Sequence, residues 1–137
     1  MAIRFPVALG TILLCDYSLG GVREPEMVKR RPAVVVSPRL PYRDGLCTVV
    51  PLSTTAPLHD VKYVVPITVP MPLPTPFDAM DCWAKCDMLS TVAFDRLDLF
   101  RTRRDQTGRR KYLHPVLPAD DIERMRAGIR AALGMFS

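Results

Sequence analysis

The sequence predicts an α+β, mainly β domain: five or six short strands curled into a small, strongly curved barrel, with one C-terminal helix. Three observations lead there. Fourteen prolines in 137 residues are too many for a helical bundle, because proline lacks the N–H that a helix interior or a central strand needs. The apolar residues fall in short runs rich in β-branched side chains, separated by turn residues, which is the spacing of strands. Only the segment after Pro118 repeats at helical period. With 48% hydrophobic residues, positions 1–137 make one domain with core enough to fold without staples.

Gly10 to Tyr17 reads as the first strand, opened by Gly10 and ended by Asp16. Residues 18–30, with Gly20, Gly21 and Pro25, form a loop of a length that more often carries function than merely connects. The second strand is the β-branched run Ala33 to Val36, closed by Pro38, and Lys29, Arg30 and Arg31 lead directly into it. A guanidinium at the mouth of a buried strand has its backbone fixed by packing and its head free to reach a cleft, which suits a phosphate or carboxylate.

Pro41 to Gly45 is a turn in this reading, with Asp44-Gly45 a tight-hairpin signal, so the third strand, Leu46 to Leu52, runs antiparallel beside the second. It empties into Ser53, Thr54 and Thr55. A hairpin therefore sets Arg31 and these hydroxyls at the same end of the sheet. Lys62 to Thr68 is a fourth strand, and Val69 to Pro76 is irregular because prolines alternate through it. Asp81 to Met88 is a fifth, with Cys82, Ala84, Cys86 and Met88 facing one way and Trp83, Lys85 and Asp87 the other.

Thr91 to Phe100 fits either a short helix or a turn followed by a strand. Arg101 to Lys111 carries six cations and one acid, Asp105, around Gly108. It is a basic hairpin or loop, either a solvated tip or a patch that tracks a nucleic-acid backbone. The final helix starts near Pro118, with Asp120, Asp121 and Glu123 at its positive end and Ile122, Met125, Ile129 and Leu133 as its apolar face, and it stops at Gly134.

Composition narrows the chemistry. A net charge of +5 is a mild argument for a polyanionic partner. Cys15, Cys47, Cys82 and Cys86 have no C-x-x-C spacing and only His59 and His114 for company, so no zinc pattern matches and no metal is expected. They read as buried free thiols of a reducing, cytoplasmic setting. No run approaches membrane-spanning length, and Pro6 and Gly10 interrupt the apolar N-terminal stretch.

Gly10 to Leu14, Arg31 to Pro38, Val50-Pro51-Leu52-Ser53-Thr54 and Lys85-Cys86-Asp87, in this order, together resemble the PemK/MazF family of toxins from bacterial type II toxin–antitoxin pairs. The resemblance implies an SH3-like barrel of the CcdB/PemK/MazF kind, a homodimer, cleavage of single-stranded RNA or mRNA at short sequences, and silencing by a cognate antitoxin. Arg31 matches the family's active-site arginine, Ser53 and Thr54 its paired hydroxyl residues, and Asp87 an aspartate proposed as general base. The arginine that precedes that aspartate in some members is Lys85 here. The loop glutamate-glutamine pair of some members is replaced by Glu24-Pro25-Glu26-Met27.

RNA carries its own nucleophile, the 2′-hydroxyl, so such an enzyme needs no cofactor. Arg31 would clamp phosphate and stabilise developing charge, and Ser53 and Thr54 would hold the in-line geometry. Asp87 is the candidate base, with His59 the other acid or base within reach of the hydroxyl cluster. Lys29, Arg30, Lys85 and His59 complete the expected substrate-binding set. Two other readings are a non-enzymatic gyrase poison and a catalytically inactive barrel that binds RNA or antitoxin. The gyrase poisons end in a tryptophan-containing tail, whereas the one tryptophan here is Trp83.

Overall fold

A computed structural model describes residues 2–18 and 29–135. The chain runs β1 (Ile12–Asp16), β2 (Arg30–Val35), β3 (Leu46–Ser53), β4 (Val64–Thr68), β5 (Asp81–Lys85), a 3₁₀ turn (Cys86–Met88), β6 (Ser90–Ala93), a second 3₁₀ turn (Phe94–Arg96), β7 (Leu97–Asp98), β8 (Phe100–Arg101), β9 (Tyr112–Leu113) and α1 (Ala119–Ala132). Thr91 to Phe100 is thus strand, 3₁₀ turn and strand. Glu24 to Met27 and most of the expected 18–30 loop lie outside the described residues.

The main sheet is antiparallel, in the order β4-β5-β3-β2-β1-β7, with β6 also pairing β3. Both faces of its central strands are buried, which is why they read as unbroken apolar runs. One face (Ile12, Val34, Val50, Leu52, Ala84) packs under α1 through Met125, Ile122 and Ile129. The other (Leu13, Cys15, Ala33, Val35, Val49) packs with Val92, Leu97 and Phe94. All four cysteines are buried and free.

Four expectations need correction. Among the described residues the end strands β4 and β7 do not pair, so the sheet is open and no closed barrel forms. The β7 strand is only two residues long, and α1 lies against the far side of β4, where Arg124 donates to the Pro66 carbonyl at 2.7 Å. The tight hairpin is also absent. β2 stops at Val35 and β3 starts at Leu46, because Pro38 and Pro41 cannot donate to a ladder; Gly45 (φ +74°) still turns the chain into β3. Leu133 is exposed rather than core, since α1 ends at Ala132 and Gly134 (φ +71°) turns the chain away.

The fourth correction concerns β5. It ends at Lys85, and the chain resumes the same antiparallel course against β3 as β6 after the 3₁₀ turn. Leu52 faces Ala84 while Leu46 faces Ala93, so the register jumps by three residues, the length of Cys86–Met88. Cys86 turns inward, where its thiol donates to the Met125 carbonyl at 3.6 Å, and Asp87 is thrown out into solvent.

Candidate active site

Arg31 does not precede β2 but lies within it, opposite Cys15 of β1. On its other side the β2–β3 ladder covers only Ala33↔Pro51, Val34↔Val50 and Val35↔Val49. One more step would set Pro32 against Leu52, and Pro32 has no N–H to give, so pairing stops there. Two steps on, the same register sets Arg31 opposite Ser53. Ser53 instead pairs with Trp83 of β5, and Trp83 with Pro66 of β4. Cys15, Arg31, Ser53, Trp83 and Pro66 therefore form a row across one face of the sheet, with the backbone untied between Arg31 and Ser53.

Arg31 is half-buried, and its Nε is buried without a hydrogen-bond partner among the described residues. Beside it stands Tyr17, 4% exposed, on the same face as Cys15 and so diagonal to Arg31. Burial, then the Cys15 thiol, pushes the Tyr17 hydroxyl well above its usual range, which keeps it protonated. Burial likewise pushes the Cys15 thiol up to about 11. Arg31 thus lies beside neutral polar groups, the Tyr17 hydroxyl and Arg31 Nε both being buried without a hydrogen-bond partner among the described residues, and it forms no ion pair with a carboxylate among them.

Ser53 is buried, and its Oγ accepts the Thr55 N–H at 3.1 Å. It shapes the loop, and Thr54 is the exposed hydroxyl of the pair. That loop continues into Pro57, Leu58 and His59, which form one wall of a cleft of about 260 Å³ whose other wall is Lys85, Asp87 and Met88, with Tyr63 at its side. His59, Lys85 and Asp87 thus share one cleft, and Lys85 lies on the same face of β5 as Trp83.

Lys29 and Arg30 are exposed. Arg30 faces Asp16 across the β1–β2 ladder, so part of its charge is already answered. Asp16 is held below the usual carboxylate range first by the Ser18 hydroxyl and, further down, by Arg30 and Arg96. Sequence reasoning did not single out Tyr17, Cys15 or Tyr63 for the site; period-two alternation from Cys15 to Tyr17 was the one available signal. Among the described residues no three His, Cys, Asp or Glu side chains gather as metal ligands, and no helix is long and apolar enough to cross a membrane.

A second cavity of about 230 Å³, at the other end of β2 and β3, is lined by Ser37, Arg39, Arg43, Thr48, Thr91 and Phe94 among others. Its hydroxyls are taken up within the fold: Ser37 Oγ accepts the Thr48 backbone N–H at 3.0 Å, and the Thr48 and Thr91 hydroxyls are 2.7 Å apart. It holds none of the candidate site residues Lys29, Arg30, Arg31, Ser53, Thr54, His59, Lys85 and Asp87.

Residues 9–133 match the family model of the PemK-like, MazF-like toxins of type II toxin–antitoxin systems. The chain belongs to that family. Its PemK/MazF-like sequence is 31% identical over 144 residues to the protein YifN of Escherichia coli (strain K12), covering 90% of this chain and 91% of that one. A mycobacterial endoribonuclease solved with its cognate antitoxin shares the fold at a TM-score of 0.62 and 20% identity, over 96% of this chain and 99% of that one. The Mycobacterium tuberculosis toxin MazF-mt6 (TM-score 0.59, 18% identity, 93% and 99% covered) and Deinococcus radiodurans MazF (0.56, 18%, 96% and 99%) share it too. The PemK/MazF fold is therefore an open antiparallel sheet among the described residues of this chain, with α1 on one face.

Proposed function

We propose that this PemK/MazF toxin is a sequence-specific, metal-independent endoribonuclease that cuts single-stranded RNA, acts as a homodimer and is held in check by a cognate antitoxin. The observation that carries the reading is Arg31, half-buried between β1 and the untied end of β3, with its Nε buried and unpartnered among the described residues. A guanidinium so held is always charged and offers a rigid fork to a phosphate, where it stabilises the extra negative charge of the phosphorane. Thr54 contacts the sugar or phosphate, and buried Ser53 fixes the loop that presents it. Asp87 takes the 2′-hydroxyl proton, and Lys85 and His59 bind around it in the shared cleft. The freed 2′-oxygen attacks the adjacent phosphorus, the P–O5′ bond breaks, the departing 5′-oxygen takes a proton from water to leave as a 5′-hydroxyl, and a 2′,3′-cyclic phosphate results.

The test is incubation of the purified chain with a long single-stranded RNA in excess EDTA, with Arg31→Ala in parallel and the ends mapped. Discrete cuts at one short motif, reduced roughly 10²–10³-fold in the variant, support the reading. Intact RNA from a folded protein that still arrests growth would refute it and favour a gyrase poison.

A further inference from the structure

The charge of this chain is concentrated in one place. Residues 100–113 hold six cations and one acid, whereas the rest of the sequence holds thirteen cations against thirteen acids, so the entire surplus of +5 sits on that segment. Structure makes it a built feature rather than a loose run. β8 and β9 pair with Phe100 opposite Leu113 and Arg101 opposite Tyr112. Phe100 is 4% exposed and meets Phe77 edge-on, ring centres 6.0 Å apart, and Leu113 packs on the same core. One face thus anchors the hairpin, and the other displays Arg101 and a half-exposed Tyr112.

The tip is held as well. The Thr102 N–H donates to the Lys111 carbonyl and the Asp105 N–H to the Arg109 carbonyl, at 2.9 and 2.8 Å. Asp105 Oδ1 accepts the Thr107 N–H, the Thr107 hydroxyl and the Arg109 N–H at 2.8, 2.6 and 3.0 Å. The one acid of the hairpin is consumed in its own turn. Arg101 leans on Asp98 at 3.6 Å. Arg103, Arg104, Arg109, Arg110 and Lys111 are exposed and form no ion pair among the described residues.

We propose that the Arg101–Lys111 hairpin is an exosite for single-stranded RNA, gripping backbone phosphates outside the cleavage cleft while Tyr112 stacks on a base. Five of its six cations are arginines, whose planar forks fit phosphate oxygens, and an aromatic among them is the makeup of a single-strand platform. An acidic peptide would fit less well, because the apolar residues it would need, Phe100 and Leu113, are turned into the core. The identity of the ligand as RNA rests on the ribonuclease reading above.

The probe is a 2′-O-methyl oligoribonucleotide, which cannot be cleaved because its 2′-oxygen carries no proton. Binding is followed by fluorescence anisotropy across a salt series, for the wild-type chain and for a variant with Arg103, Arg104, Arg109 and Arg110 all changed to Gln. Removing one cation from a phosphate flattens the slope of log affinity against log salt by about 0.7 for a single strand, so the variant's slope falls by nearly 3 and its affinity drops at least roughly ten-fold at low salt. Tyr112→Ala weakens binding about ten-fold with the slope unchanged. The turnover rate on a short oligomer that fills only the cleft stays at the wild-type value in the four-arginine variant.

An unchanged slope and affinity, in a variant whose melting shows it folded, would overturn the exosite. So would an intact RNA slope with loss of antitoxin binding, which assigns the hairpin to the antitoxin. Steep, hairpin-dependent binding by a chain that leaves unmodified RNA uncut would support the exosite while removing the ribonuclease reading.

Discussion

Replacing Gly128 with alanine would place a methyl carbon 2.8 Å from Cys86 Sγ, 3.0 Å from Val65 Cγ2 and 3.3 Å from Cys86 Cβ. Gly128 is a buried residue in the middle of α1, where the helix meets the 3₁₀ turn and β4. Two effects oppose one another. In a helix interior alanine gains about 1 kcal/mol over glycine, whereas a methyl group forced into a packed interior costs about 1–3 kcal/mol. Neither close neighbour is the free end of a long side chain, so the second effect wins, and a net loss of about 1 kcal/mol follows.

For a domain of this size that lowers Tm by about 4 °C. The consequence reaches the site, because Cys86 begins the turn that carries Asp87. Helix and turn must move apart, and Asp87 shifts against His59 in the cleft; cleavage falls about ten-fold in kcat with little change in KM. Adding Cys86→Ala removes the tightest clash and should recover part of both losses, which a double-mutant cycle in urea unfolding and cleavage kinetics would register. A Gly128→Ala protein that is about 1 kcal/mol more stable and fully active would refute the packing of α1 on the turn as described.

Two further outcomes follow from the same geometry. Asp87→Asn should lower single-turnover cleavage roughly 10²-fold or more, the effect of losing a general base, while His59→Ala costs ten-fold or less; the reverse order would transfer the role to His59. Stability should fall in alkali. Cys15 and Cys86, both 0% exposed, are pushed by burial up to about 11 and about 12 from 9.0. The unfolded chain therefore loses these protons first, so their contribution is intact below pH 9 and declines by up to about 1.4 kcal/mol per pH unit per thiol above it. Equal urea midpoints at pH 8 and pH 10 would contradict this.

Much of the fold was legible from local signals. The Ala33–Val36 run, the antiparallel partner after Gly45 and the helix after Pro118 follow from β-branching, turn chemistry and 3.6-residue period, which neighbouring residues carry by themselves. The placement of Arg31 and the Ser53 cluster near one another was legible too, since a hairpin fixes which strand ends meet. The sheet's failure to close, the loss of the tight turn and the ejection of Asp87 were not, because each depends on what a segment meets elsewhere: α1 against β4, Pro38 and Pro41 against a β3 partner, Cys86 against Met125.

The order of residues along the chain was enough for the family, the short buried strands and the concentration of positive charge at residues 101–111. It took the folded arrangement to show that Pro32 ends the ladder beside Arg31, that Tyr17 and Cys15 are its neighbours across the β1–β2 ladder, and that His59, Lys85 and Asp87 line one cleft. Strand identity is written in residues that are neighbours along the chain. A site is an agreement in register and packing between residues far apart in it, and that agreement is settled only when the sheet and helix come together.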